Sequence, residues 1–245
     1  MKPLARPMFK LATLLLAFAS GCATINSAAR KGDLAAVQAY LQAGTDVNAK
    51  QDHCMTPLGD AAVYNHLELA KYLVDKGADV NERDSVYGFP PLVHAAGHSL
   101  AFVQLLVEKG ADVNARNDFS MTPLMWAAGD GHLDVVKYLT AKGADVKEKD
   151  FRGDTALAWA AGGGYLDVVK HLAENGANVN ETNGKGGTAL MRAAGANHLD
   201  VVKYLATKGA DVNARTLKGG TALSEAKAAG FTDVVGFLKQ AGATD

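Results

Sequence analysis

The chain has 245 residues, of which 48% are hydrophobic, 21% charged and 7% aromatic. This composition is typical of a globular protein with one large domain or two small ones. The formal net charge of −1 excludes the strongly basic character on which nucleic-acid binding depends. Without the first 21 residues, 22 basic and 26 acidic residues remain, so the rest of the chain is slightly acidic.

The N-terminus resembles an export signal rather than part of a fold. Three basic residues and no acidic ones precede residues 11–20, a stretch without charge. A helix of ten residues spans about 15 Å, which is half of a bilayer core, so residues 11–20 are too short for a stable transmembrane helix. A basic start followed by a short apolar stretch and small residues is typical of a secretory signal.

The end of this signal, Ala19-Ser20-Gly21-Cys22, resembles the lipobox of bacterial lipoproteins, although that family usually has Leu where Ala19 stands. The resemblance implies cleavage before Cys22, lipidation of its thiol and a membrane anchor of more than one acyl chain. Since Ala23 rather than Asp follows, it also implies the outer membrane, on the periplasmic face. An ordinary cleaved signal, giving a soluble periplasmic or secreted protein, is the alternative. If Cys22 is lipidated, Cys54 has no partner for a disulfide in the mature monomer.

The rest of the chain is repetitive. Glycine recurs every 33 residues, at Gly44, Gly77, Gly110, Gly143, Gly176, Gly209 and Gly242. Thr-Pro-Leu or Thr-Ala-Leu strings recur in the same register, at residues 56–58, 122–124, 155–157, 188–190 and 221–223. Each Thr followed by Pro or Ala is a helix-start signal, and each Gly suits a left-handed position after a helix.

A 33-residue period with TPL, AA, GH and GADVNA strings is similar to the ankyrin repeat. The resemblance covers nearly everything after Cys22 and implies an all-α solenoid of seven stacked helix-turn-helix units with β-hairpin-like fingers, in residues 22–245. Because one repeat cannot bury its own apolar face, stacking is obligatory. We expect the first and last repeats to act as caps, the latter through Glu225 and Lys227 on its inner helix.

The third repeat departs from the period. Pro91 lies 34 residues after Pro57, yet Leu100 lies 33 after Leu67. One residue is therefore added in the finger, which we expect to be enlarged over residues 85–90, and one is removed from the turn after Ala96. Such an insertion marks a binding face or reflects neutral drift in a surface loop.

The resemblance implies partner binding through the finger tips and the concave face of the inner helices. Helical spacing places a stripe of three positions of each inner helix on that face, and Asp60, Trp126 and Trp159 occupy the same position in it. We expect the two tryptophans to be neighbours, beside Gly129 and Gly162 that leave a groove open, and the apolar finger residues to be exposed. The alternative is that fingers pack on one another and tryptophans fill space between repeats. The candidate partner-binding residues are Tyr64, Val86, Tyr87, Phe89, His98, Phe119, Met121, Trp126, Phe151, Trp159 and Arg192.

Catalytic, cofactor and metal motifs are not found in the sequence. His66, His132 and His198 share one repeat position, where the ankyrin family carries a structural histidine. His53-Cys54 lacks a second ligand pair, and His94 and His98 lack a third ligand, so we expect no metal site. We expect Asp134, Asp167, Asp200 and Asp233 to begin outer helices rather than to act as acid–base pairs. We expect no enzyme, no cofactor and a monomer.

The leading hypothesis is therefore a membrane-tethered periplasmic adaptor that binds a protein partner. The alternative is a binder of a non-protein envelope ligand such as a cell-wall glycan, with sugars stacked on the two tryptophans. A secreted toxin or antitoxin partner is a further possibility. Fold alone does not choose among these functions, because the family carries many.

Overall fold

The computed structural model describes residues 24–50 and 55–244, and the expectations about the signal, Cys22, His53 and Cys54 lie outside them. These residues form two compact units, which divide at residues 119 and 120. The first unit contains α1 (Ile25–Lys31), α2 (Leu34–Gln42), α3 (Pro57–Val63), α4 (Leu67–Asp75), α5 (Pro91–Ala96) and α6 (Leu100–Glu108). The second contains α7 (Pro123–Asp130), α8 (Leu133–Ala141), α9 (Ala156–Gly163), α10 (Leu166–Glu174), α11 (Ala189–Gly195), α12 (Leu199–Thr207), α13 (Ala222–Ala229) and α14 (Thr232–Gln240).

The helices come in pairs, each an inner helix followed by an outer one. Within a unit, inner helices pack on inner helices and outer helices pack on outer helices. The inner helices are α1, α3 and α5 in the first unit, and α7, α9, α11 and α13 in the second. The alanine pairs, such as Ala127-Ala128 and Ala160-Ala161, are fully buried and let neighbouring inner helices approach closely. The all-α repeat fold expected from the sequence is confirmed.

The inner helices begin where the sequence predicts. Thr122 is the N-cap of α7, and its hydroxyl oxygen accepts a hydrogen bond from the amide of Met125, while Pro123 occupies the first helical position. Thr56, Thr155, Thr188 and Thr221 cap their helices in the same way. The repeating glycines adopt positive φ, for example +90° at Gly143, as a left-handed turn after an outer helix requires.

The third repeat carries both predicted changes. Helix α5 has six residues and begins nine residues before α6, whereas α7 begins ten residues before α8. Its finger is closed by a hydrogen bond from the amide of Asp84 to the carbonyl of Phe89, five residues on. The equivalent bond from Asp150 spans only four residues, to Asp154. The extra residue therefore lies within this finger.

The fingers are hydrogen-bonded turns, and no β-strand occurs in the described part of the chain. The hairpin-like element of the prediction takes the form of single closing bonds, as at Asp84, Asp150, Asn183 and Thr216. None of the helices in residues 24–50 and 55–244 is long and apolar enough to span a membrane.

Candidate functional site

The inner helices of the second unit carry a row of equivalent side chains, Trp126, Trp159, Arg192 and Glu225, which we call the inner-helix row. Each of the last three packs beside the glycine on the preceding inner helix. A methyl group on Gly129 would lie 3.7 Å from Cβ of Trp159, and one on Gly162 would lie 3.7 Å from Cβ of Arg192. Gly129 and Trp159 are therefore neighbours, whereas the expected proximity of Trp126 to Trp159 stays a prediction. The expected open groove is not found beside these glycines, since the next side chain in the row occupies the space beside each of them.

Trp159 is partly exposed, yet its ring is held on two sides. The indole nitrogen donates a hydrogen bond to Oδ2 of Asp150 at 3.1 Å. The guanidinium carbon of Arg192 lies 5.3 Å from the ring centre, within range of a cation–π interaction. The orientation of the tryptophan is therefore fixed before any partner arrives.

Two buried carboxylates support this arrangement. Oδ1 of Asp150 accepts hydrogen bonds from the amides of Arg152 and Asp154, at 2.8 and 2.9 Å. Asp154 accepts from the Asn183 amide group at 2.9 Å and from Nε of Arg192 at 3.1 Å, and also pairs with Nη2 of Arg192. Burial raises the pKa of Asp150, as does the neighbouring charge of Asp154, against the lowering effect of its hydrogen bonds.

Sequence reasoning missed this network, although a signal for it exists. Asp84, Asn117, Asp150, Asn183 and Thr216 stand at one position, 33 residues apart, and each has a side-chain oxygen that can accept from the amides of its finger. A periodic Asp, Asn or Thr in a turn predicts such a bond. The pairing of this position with the inner-helix row could not be read from the sequence alone.

Two candidate residues, Phe89 and Met121, are not exposed, with 5% and 3% of their surfaces accessible. Both directly precede a helix N-cap, where the chain turns into the stack, and the equivalent Met55 is buried as well. Phe89 stacks on His94, the fourth residue of α5, with ring centres 5.1 Å apart. This contact resembles a hydrophobic staple, so the prediction of exposure at these positions is wrong.

The remaining finger residues divide into packed and exposed ones. Tyr87 and Phe119 are partly buried against each other, with ring centres 5.4 Å apart, and the Asp118 amide donates to the Tyr87 carbonyl at 2.9 Å. For these two the alternative, that fingers pack on one another, is the correct one. Val86 in the first unit and Phe151 in the second are exposed as expected.

The inner helices of the first unit present a different surface. Tyr64 and His98 are exposed, whereas Asp60 is fully buried and does not belong to any concave surface. Oδ2 of Asp60 accepts from the Asn26 amide group at 3.1 Å, and its Oδ1 lies 3.5 Å from Nε of Arg30. Burial raises the pKa of Asp60 to about 6, despite the Asn26 hydrogen bond and the Arg30 charge.

Two of the equivalent histidines join neighbouring helix pairs. Nε2 of His66 lies 2.9 Å from the carbonyl oxygen of Arg30, and Nε2 of His198 lies 3.2 Å from that of Gly162. These contacts agree with the expectation that the histidine at this repeat position has a structural role. In residues 24–50 and 55–244, no three His, Cys, Asp or Glu side chains are grouped as metal ligands would be.

Two family models match the chain. A model of three consecutive ankyrin repeats matches residues 25–117 and again residues 101–183. A second model, of many ankyrin repeats, matches residues 172–226. No curated protein gives a significant match.

Proposed function

Because the chain belongs to the ankyrin repeat family, we propose that it is a membrane-tethered adaptor that binds a protein partner in the periplasm. Protein interaction is the general activity of such repeats, and the tether and the location are the specific parts of the proposal. In this proposal residues 22–245 form seven repeats with the first and last as caps. Seven helix pairs in the described part of the chain support that count.

The observation that carries the binding site is the fixed orientation of Trp159. A partly exposed tryptophan that Asp150 and Arg192 hold in place loses little side-chain entropy when a partner covers it. Trp and Arg are also the residue types that dominate interface energies. Trp126 and Arg192, in the same row, extend this surface along the inner helices.

The binding site is tested by crosslinking and recovery from the envelope of cells that contain the protein. We compare the wild type with a Trp126→Ala, Trp159→Ala variant and with a Phe237→Ala control on the outer helix α14. One protein recovered with the wild type and the control, and lost with the double variant, is the expected result. Equal recovery with all three chains would exclude the inner-helix row as the site.

A glycan ligand remains the second candidate, because two partly exposed tryptophans stand at equivalent positions on adjacent inner helices. Stacking of a sugar needs an accessible ring face, and Arg192 already lies over one face of Trp159. We therefore favour the protein partner. Saturable binding of cell-wall fragments that the double variant abolishes would reverse this preference.

The tether is tested separately. Cells that produce the wild type and a Cys22→Ala variant are fed a labelled fatty acid, and envelope and soluble fractions are compared. We expect label and membrane retention only in the wild type, because acyl chains contribute about 0.8 kcal/mol for each buried methylene group. An unlabelled wild type in the soluble fraction would contradict the tether and leave the binding site untouched.

A further inference from the structure

Three consecutive fingers of the second unit end in equivalent residue pairs: Phe151-Arg152, Gly184-Lys185 and Leu217-Lys218. We call these six residues the finger-tip edge. In each finger the side chain at position 150, 183 or 216 accepts a hydrogen bond from the amide four residues on. The glycine that follows each pair has a positive φ of 75° to 83°. Because the three turns share one conformation, their tips project in the same direction.

Backbone hydrogen bonds join these tips into a continuous line. The amide of Gly184 donates to the carbonyl of Arg152 at 2.8 Å, and the amide of Leu217 donates to the carbonyl of Lys185 at 2.9 Å. Neighbouring helices pack about 8–10 Å apart, so the line extends over roughly 20 Å. The edge is therefore a row of tips joined by hydrogen bonds and not a set of independent loops.

The edge combines exposed apolar side chains with positive charge. Phe151 and Leu217 are 58% and 82% exposed, although both are residue types that water disfavours. Lys185 and Lys218 are exposed and make no ion pair with a residue that the structure describes. Of the acids near the tips, Asp150 and Asp154 are buried within the hydrogen-bond network, and Glu181 pairs with Lys149.

We propose that the finger-tip edge lies against the surface of a bilayer with anionic headgroups. Basic side chains near such a surface are attracted by its negative potential, and apolar side chains beside them enter the boundary between headgroups and acyl chains. A row of projecting loop tips suits contact with a flat surface. An acidic polypeptide would pair with Lys185 and Lys218 but would not account for the exposed Phe151 and Leu217. The contact depends neither on Cys22 nor on a partner protein.

The test measures lysine reactivity in the full chain. The protein is mixed with vesicles of phosphatidylglycerol or of phosphatidylcholine, labelled with a water-soluble amine reagent and read by mass spectrometry. Because a bilayer in contact with the edge excludes the reagent from the lysine amines, we expect Lys185 and Lys218 to react at least about fivefold more slowly with phosphatidylglycerol, to which each basic residue near the surface strengthens binding by about 1 kcal/mol. Lys137 and Lys203 on the outer helices should react equally with both. Equal reactivity of Lys185 and Lys218 with both lipids would overturn the proposal.

A variant of the apolar finger residues distinguishes binding to a lipid bilayer from binding to negative charge alone. Phe151→Ser with Leu217→Ser should remove the protection of Lys185 on phosphatidylglycerol, while Val86→Ser, an exposed apolar finger residue of the first unit, should leave it unchanged. Polyglutamate serves as a soluble polyanion in a parallel experiment. If polyglutamate protects Lys185 as strongly as the vesicles do, and the double variant retains its protection on them, the edge binds acidic polymers and the proposed bilayer contact is wrong.

Discussion

Replacing the buried Asp60 by asparagine is expected to remove a pH-dependent penalty from the first unit. Asp60 on α3 faces Asn26 and Arg30 on α1, and its Oδ1 has no hydrogen-bond partner among the described residues. The contact with Arg30, at 3.5 Å, is longer than a hydrogen bond. Asn26 Oδ1 also lacks a hydrogen-bond partner among these residues.

The magnitude follows from the pKa of Asp60. The folded-state value of about 6 exceeds the ordinary value of 3.8, so the folded protein holds a proton that the unfolded chain releases between these two pH values. The stability contributed by the protonated group is therefore complete below pH 3.8 and lost as pH rises through 6. At about 1.36 kcal/mol for each unit of pKa, the loss amounts to roughly 3 kcal/mol.

Urea unfolding followed by circular dichroism from pH 4 to pH 8 measures this directly. The stability of the Asp60→Asn variant relative to the wild type should rise by roughly 2–3 kcal/mol across that range. Asp75→Asn, on the exposed face of α4, is the control and should change the free energy of unfolding by less than about 0.5 kcal/mol. A difference between variant and wild type that is flat, or that falls as pH rises, would refute the reasoning.

Two further predictions use matched pairs of positions. Gly164 and Gly230 both end an inner helix at a φ near +78°, but a Cβ on Gly164 would lie 2.3 Å from the His198 ring, whereas nothing lies near Gly230. Gly164→Ala should therefore lower the free energy of unfolding well beyond the roughly 1 kcal/mol expected for Gly230→Ala, and equal losses in urea titrations would contradict the His198 contact. Phe89→Ala should cost about 3–5 kcal/mol because Phe89 is buried, and Val86→Ala less than about 0.5 kcal/mol. A larger loss of stability from Val86→Ala than from Phe89→Ala in thermal melts would contradict the burial of Phe89.

The fold could be predicted because its signals are local and repeated. A Thr before Pro or Ala at five inner-helix starts, an alanine pair at one repeat position of six inner helices and a Gly after each outer helix act within one turn of the backbone, and 33-residue repetition multiplies each signal. The enlarged finger and the tighter turn of the third repeat were also predictable, since both follow from counting residues between Pro57, Pro91, Leu67 and Leu100.

The candidate site was less predictable because it depends on contacts between repeats. Helical spacing gave the position of Trp159 but not its bonds to Asp150 and Arg192, which come from a finger and from the next inner helix. The same dependence on contacts between repeats explains why the burial of Asp60 was not predicted. Its place in the helical pattern suggested an open face, and the fit of α1 over it, with Asn26 and Arg30, decides its burial.

The most direct test of the adaptor function is site-specific photocrosslinking in living cells. A photoreactive amino acid replaces Trp126 in one chain and Lys203, on the outer helix α12, in another. We expect one discrete adduct to a second protein from position 126 and none from position 203. Equal adducts from both positions, or none from position 126, would contradict a partner bound on the inner-helix row.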